Sequence, residues 1–444
     1  MKKRTNASRR NPWWRRRLGS AWPLVQQGVT AACWLALLVL GVLISFRSIL
    51  GPMAGDFITV YQWIIVSLFG EDSHEIATHL LGGVLMAGGG ILLFKSLSKA
   101  KREFLDTAPP RSGAGGAVDS YRRRIQLAQG PRIVAIGGGT GLSTLLRGLK
   151  IHTSNITAIV CVSDDGGSSG RLVQELGMLP PGDLRACLVA LADAEKLMTD
   201  LFQYRFSGSG GGLSGHSLGN LLLAGLVDQA AGDVDEAIKL ASEVLNVRGR
   251  VIPATRSHIR LRAIMEDDSE IEGESAIAGS HLKIRRIFLE PESPLPHPEA
   301  LKAISEADLI VIGPGSVYTS VIPNLLVPGL AEEVAKVDCP RVYICNVMTQ
   351  PGESESYTAT EHVVAIQANL PCRVFDSVLV NTGLPSAQIL ERYRHSHQEY
   401  VVPDTDRLKQ MGFKVVTGNF MSETDTVRHD PFSLASKLVE MIRY

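Results

Sequence analysis

A short apolar run that ends in a cluster of glycines limits this chain more than anything else in it. The run Ile133-Val134-Ala135-Ile136 passes into Gly137-Gly138-Gly139-Thr140-Gly141, which opens an apolar helical pattern ending at Leu149. A second apolar run, 156–162, closes on Asp164-Asp165-Gly166-Gly167-Ser168-Ser169-Gly170-Arg171. Strand, glycine turn, helix and strand make the opening of a parallel α/β sheet, whose ligands sit at the carboxyl ends of the strands. Residues without side chains let backbone amides approach a phosphate, and the positive end of the helix dipole adds to the attraction. The expected phosphate contacts are Gly137, Gly138, Gly139 and Gly141, with the Thr140 hydroxyl beside them. Leu142 stands where G-x-G-x-x-G needs its third glycine, so NAD is not the expected ligand.

The same alternation of apolar and helical patterns continues to the end of the chain and predicts an α/β fold with a mainly parallel sheet. Further buried strands are expected at 307–312, 341–346 and 377–381, and a helix from about Asp183 through Leu197. Between 251 and 289 the pattern shortens to alternating strands with polar turns, which predicts a small antiparallel lobe. The first third is different. Lys2, Lys3, Arg4, Arg9, Arg10 and Arg15 to Arg17 precede an uncharged run at 24–46, and a second apolar run at 76–94 is followed by Lys95, Lys99, Lys101 and Arg102. Both runs approach the ~20 residues that cross a bilayer. With basic flanks on both outer ends, the positive-inside rule predicts a two-pass membrane hairpin with both termini cytoplasmic. The expected organisation is a basic N-terminus (1–23), the hairpin (24–94), a linker (95–130) and a nucleotide-binding domain (131–444). The apolar piece 57–69 is too short to span and reads as interfacial or re-entrant. Glycines at Gly82, Gly83, Gly88, Gly89 and Gly90 would let the two spans, or two copies of the chain, approach closely.

The formal net charge is zero over 444 residues, so no basic excess points to nucleic acid. The six cysteines are scattered without a C-x-x-C pair, which reads as reduced, mostly buried thiols.

Several polar residues stand at predicted strand ends or helix entrances. Asp164 and Asp165 suit either ribose hydroxyls or a hydrated divalent cation beside phosphate, such as Mg²⁺. His216 lies among small residues where a helix begins, and Asn220, four residues on, shares its face. Ser316 and Tyr318 follow Gly313-Pro314-Gly315 and suit a base or a sugar, or packing in the case of the tyrosine. Asn346 and Asn381 end strands and form a candidate polar rim. Asp183 reads as an N-cap or first-turn carboxylate of its own helix. There is no G-x-S-x-G elbow, no cysteine placed with a histidine and no P-loop lysine, so binding is better supported than turnover.

Five motifs together, Ile136 to Leu142, Asp164 to Arg171, Pro180-Pro181-Gly182-Asp183-Leu184-Arg185, Gly215-His216-Ser217-Leu218-Gly219-Asn220 and Gly313 to Ser320, resemble the YvcK proteins, called gluconeogenesis factors, and their relative CofD, the 2-phospho-L-lactate transferase. The resemblance covers Pro131 to Tyr444. It implies a Rossmann-like fold that binds a UDP-sugar (UDP-glucose or UDP-N-acetylglucosamine), with a role in cell shape and envelope synthesis during gluconeogenic growth. The residues it points to are Thr140, Tyr393 in Glu391-Arg392-Tyr393-Arg394, and Arg428 in Val427-Arg428-His429-Asp430-Pro431, with Tyr400 a neighbour of Tyr393 in sequence. By analogy with the transferase branch, Asp164 and Asp165 become candidate metal ligands. Expected partners are the nucleotide sugar, the bilayer, envelope-synthesis proteins and a second copy of the chain. The alternative function is a metal-dependent transferase.

Overall fold

The structure is a computed structural model of the chain and describes residues 22–45, 67, 74–105, 122–193, 196–207, 212–280, 282–423 and 426–442. It divides into two compact units, Met1–Gln129 and Gly130–Tyr444.

In the first unit the helices Trp22–Ser45 and His74–Leu105 pack against each other. Of the glycines expected to permit this, Gly89 and Gly90 lie in the contact: a Cβ on Gly89 would lie 2.9 Å from the Leu38 amide nitrogen and 3.0 Å from the Trp34 carbonyl oxygen, both backbone atoms, and one on Gly90 would lie 3.7 Å from Leu38 Cδ1. Gly83 and Gly88 face open space. Among the described residues His79–Ser98 is the one stretch long and apolar enough to cross a membrane, and the first helix offers only the shorter apolar piece Thr30–Leu40. The piece 57–69, apart from Ser67, and the N-terminal residues 1–21 lie outside the described residues.

The second unit contains the strands β1 (Ile133–Gly137), β2 (Ile156–Val160), β3 (Arg250–Pro253), β4 (Arg260–Met265), β5 (Glu270–Glu272), β6 (Ile284–Glu290), β7 (Leu309–Ile312), β8 (Arg341–Ile344), β9 (Ser377–Asn381), β10 (Lys414–Gly418), β11 (Met421–Glu423) and β12 (Val427–His429). Seven of them form one parallel sheet in the order β10-β9-β8-β7-β1-β2-β3. Every residue of β1, β7 and β9 is buried, which is why these strands read as unbroken apolar runs: helices cover both sheet faces and no position needs to be polar. The antiparallel lobe is the three-stranded sheet β5-β4-β6, whose alternating burial reflects one solvent face carrying Arg262 between Glu270 and Glu290.

Two expectations shift. The antiparallel region starts at Arg260, because β3, around Val251, is the edge of the main sheet. The helix expected through Leu197 ends at Leu191, where Ala192 bridges to Val247, and a separate helix Lys196–Gln203 follows. β10 and the β11–β12 hairpin carry no apolar signal, since their residues are largely half-exposed.

The strand order places the site. From β1 the chain grows outward through β2 to β3, then returns to the other side of β1 as β7 and grows the opposite way to β10. The connections after β1 and β7 therefore run on in opposite directions along the sheet, which makes the carboxyl edge at β1 and β7 the switch point at which open α/β sheets hold their ligands.

Candidate functional site

The turn after β1, Gly138 to Gly141, packs against the turn after β7, Gly313 to Ser316. A Cβ on Gly141 would come 2.5 Å from the Pro314 carbonyl oxygen, and one on Gly138 would overlap the Asp183 carboxylate. Gly139 has φ +62° at the first residue of the helix Gly139–Leu149 and donates its N–H to Asp183 Oδ2 at 2.7 Å. Neighbouring backbone and a carboxylate, as much as any phosphate, thus require glycine here. Asp183 belongs to the first turn of the helix Pro181–Leu191, as expected, but its side chain reaches across to this other helix N-terminus. The Thr140 and Gly141 amides, also in the first turn, have no carbonyl to bond within the helix.

Those two residues line a cleft of about 320 Å³ together with Thr144, Gly315, Asn346, Tyr393, Arg428 and His429. Thr140, Tyr393 and Arg428, far apart in sequence, are brought together by β1, the helix Ala387–Arg394 and β12. Tyr393 accepts the Val427 N–H at 2.9 Å, which holds the backbone next to Arg428. Its ring packs with Val347, Met348 and Val427. Tyr400 is directed elsewhere, its hydroxyl donating to the Asn381 carbonyl at 3.2 Å. Asn346 holds the second glycine turn on both sides of one residue, accepting from the Gly315 N–H at 3.1 Å and donating to the Gly315 carbonyl at 2.9 Å. Asn381, by contrast, is a buried loop brace that accepts from the Phe420 N–H at 3.0 Å. Burial drives the His429 ring to about 4, so it is neutral at physiological pH.

The other side of the glycine turn is acidic. Burial, then the charge of Asp164, raises Asp183 to about 6. The same causes, with Asp183 added, raise Glu274 to about 9, while it accepts from the Ser163 hydroxyl at 3.0 Å. Asp164 and Asp165 do not act as a pair. Asp164 accepts from the Gly166 N–H at 3.0 Å, and Asp165 is held by both the N–H and the hydroxyl of Ser275, at 2.9 and 2.8 Å. Among the described residues no group of three or more His, Cys, Asp or Glu side chains is arranged to hold a metal ion.

His216 and Asn220 do share a face. Asn220 donates to Ser168 Oγ at 3.0 Å, which leaves the Ser168 proton for His216 Nδ1, also at 3.0 Å. Burial, then Arg171, holds His216 below its ordinary value, consistent with a neutral acceptor. This triad ties the Ser168 turn to the helix Leu218–Gln229, away from the cleft. Ser316 is buried as well: it caps the turn at Thr319 and donates to the Glu353 carboxylate rather than facing the cleft. Tyr318 is packing, its hydroxyl 3.0 Å from that of Tyr357. Thr144 and His429 were not legible as site residues. The signal for Thr144 was its spacing of one helical turn from Thr140.

A parallel α/β sheet with a polar cleft between two glycine turns at its switch point defines a Rossmann-like type of protein. The family model described as 2-phospho-L-lactate transferase CofD matches residues 133–421, and the chain belongs to that family. A Bacillus subtilis protein named gluconeogenesis factor is 49% identical over 318 residues, covering 71% of this chain and all of its own. A Nostoc protein, named as a candidate gluconeogenesis factor, is 46% identical over 419 residues, covering 93% of this chain and 91% of its own length, a span that must reach into the first unit. A crystal structure of a UPF0052-family protein from Bacillus halodurans, 48% identical, superposes with a TM-score of 0.67 over 70% of this chain and 99% of that one. These relatives bear out the resemblance drawn from the five motifs, and the parallel sheet bears out the α/β fold.

Proposed function

We propose that this chain is a gluconeogenesis factor that binds a UDP-sugar, UDP-glucose or UDP-N-acetylglucosamine, in the cleft beside Thr140 and uses it to regulate envelope synthesis and cell shape. The observation that carries the reading is the convergence of Thr140, Tyr393 and Arg428 on one cleft at the switch point. Free first-turn amides and a hydroxyl suit one phosphate, and the Arg428 guanidinium suits the next. Asn346 and the glycine carbonyls beside it offer donors and acceptors to a base or a sugar. The names of the relatives support the physiological role, and the apolar stretch His79–Ser98 supports attachment to a membrane; the basic flanks of the two apolar runs favour a two-pass arrangement with the cleft on the cytoplasmic side.

Calorimetric titration of the purified full-length protein in detergent with each UDP-sugar tests the reading. Saturable binding that Arg428→Ala weakens at least tenfold is expected, with the nucleotide sugar recovered intact after hours. No binding of either sugar nucleotide at millimolar concentration refutes it. A transferase of the CofD type is the second reading. The observation that favours it is the set of carboxylates across the turn, where Asp183 and Glu274 hold protons at pH values useful to acid–base chemistry. Consumption of the UDP-sugar in the same incubation, with Mg²⁺ supplied, decides for that reading.

A further inference from the structure

β3 ends the strand order of the main sheet, and among the described residues no strand pairs with its outer side. The Ala254 N–H donates to the Val160 carbonyl, which fixes the alternation along β3: Arg250 and Ile252 bond toward β2, and Val251 turns its N–H and C=O outward. Pro253, next on that side, has no N–H to offer. Beyond it the edge is covered, since Thr255 bridges to Pro296 and the His297 N–H donates to the Ala254 carbonyl at 2.9 Å. What stays open is the stretch around Val251, which lines a groove of about 710 Å³. The helix Val234–Val244 and the start of the helix Pro298–Ser305 line the same groove. His297 ties these two helices together: its Nδ1 accepts the Glu299 N–H at 3.2 Å, and its Nε2 donates to Asp235 Oδ1 at 3.0 Å.

The lining indicates what would fit. Ile238, Val247 and Val251 are apolar, whereas Asp233, Glu236, Glu243 and Glu299 outnumber the cations Lys239 and Arg250. Those two cations are already taken, by Glu236 at 3.1 Å and by Glu299 at 3.0 Å. Among the described residues Asp233 and Glu243 have no cationic partner. An unpaired strand edge is a template for another extended chain, with backbone bonds giving affinity and alternate side chains giving selectivity. A second copy of this chain would bring the same acidic rim against this one, which like charges oppose. We infer that the groove beside Val251 is a docking site for an extended segment of a partner protein in which apolar residues alternate with Lys or Arg. The segment adds to β3 as a further strand, bonding to Val251, with its basic side chains against Asp233 and Glu243. The groove shares no lining residue with the Thr140 cleft, so the inference stands apart from the nucleotide-sugar reading.

The test titrates the purified full-length protein in detergent against three short labelled peptides, read by fluorescence anisotropy: alternating lysine and valine, alternating glutamate and valine, and the lysine–valine peptide methylated on alternate backbone nitrogens. Saturable binding of the first is expected, with the second and third about tenfold weaker, from reversed charge and from lost backbone bonds. Glu243→Lys should weaken the first about fivefold without lowering the melting temperature. Val251→Pro removes the outward N–H while sparing the bonds to β2 and should cost about as much; should it not fold, Glu243→Lys decides. No saturable lysine–valine binding at millimolar concentration overturns the inference. Equal binding of the methylated peptide, or binding indifferent to Glu243→Lys, marks adsorption to surface charge and overturns it too. A dimer in analytical ultracentrifugation that the lysine–valine peptide dissociates puts a second copy on the edge, with the same consequence. UDP-sugar binding is expected to be unchanged in both variants, so failure of either reading leaves the other intact.

Discussion

Replacing Asp183 with asparagine removes a charge that the fold holds at a disadvantage while keeping the bond that the fold needs. The side-chain oxygen of asparagine can still accept the Gly139 N–H that Asp183 accepts at 2.7 Å. The carboxyl is raised from an ordinary 3.8 to about 6, by burial first and by Asp164 second. A carboxyl with a raised pKa takes up protons more readily folded than unfolded, so native stability is greatest below pH 4 and declines as pH rises through about 6. At 1.36 kcal/mol per pH unit the shift corresponds to about 3 kcal/mol at neutral pH, and sharing of charge with Asp164 and Glu274 brings the expected gain to about 2 kcal/mol. For a unit the size of Gly130–Tyr444 that is a rise of about 3 °C in melting temperature. Thermal unfolding of the full-length protein and Asp183→Asn should diverge as pH rises from 4 to 7.5, with the variant the more stable, and coincide at pH 4. An equal melting temperature at pH 7.5, or a gain that is already present at pH 4, would show that the carboxylate is not strained by charge and would remove the physical basis for the acid–base reading of this side of the turn.

Tyr393→Phe keeps the ring but leaves the Val427 N–H without its acceptor, so UDP-sugar affinity should fall about fivefold by calorimetry through a less ordered Arg428; an unchanged affinity would mean that only the ring matters. Gly148→Ala places a methyl against the Pro431 carbonyl and should lower stability by at least about 2 kcal/mol in chemical unfolding, a helix-propensity gain notwithstanding. Ser168→Ala strips both His216 and Asn220 of their shared partner and should cost about 1–3 kcal/mol of stability with UDP-sugar affinity unchanged. Gly89→Leu should weaken cross-linking between cysteines introduced on the helices Trp22–Ser45 and His74–Leu105, because its Cβ meets backbone at Leu38 that cannot yield.

The parallel sheet was legible because β1, β7 and β9 are buried on both faces and leave no polar position to interrupt the pattern. β10 and the β11–β12 hairpin escaped notice for the opposite reason. β10 and β11 are largely half-exposed, and β12, though Val427 and His429 are buried, is like β11 a three-residue strand that carries no period. The site was legible in part. Thr140 and the glycine turn follow from local sequence, and the family resemblance brought in Tyr393 and Arg428, which local pattern alone does not connect. Ser316, His216 and Asn220 find protein partners in Glu353 and Ser168, and a polar residue among glycines looks the same in sequence whether it meets a ligand or caps a turn. Asp183 was seen as a cap, and nothing in its own neighbourhood announces that it caps a different helix.

That misplaced cap gives the site its polarity. A helix N-terminus normally attracts anions from any direction, but Asp183 occupies the Gly139 amide from one side and places negative charge there with Asp164 and Glu274 behind it. A phosphate approaching from that side would meet carboxylates, and one approaching from the Thr140 side would meet amides, a hydroxyl and Arg428. On the proposed reading the Thr140 cleft takes the anion, and a second chamber of about 630 Å³ is lined by other residues, among them Asp164, Asp165, His258, Arg260 and Glu272. A protein that only senses a nucleotide sugar needs the first compartment, and a transferase needs the second to hold an acceptor against it. The two readings thus differ in what Asp183 does. In a sensor its charge orients the diphosphate, and Asp183→Asn weakens discrimination between anions. In a transferase Asp183→Asn stops turnover while the UDP-sugar still binds.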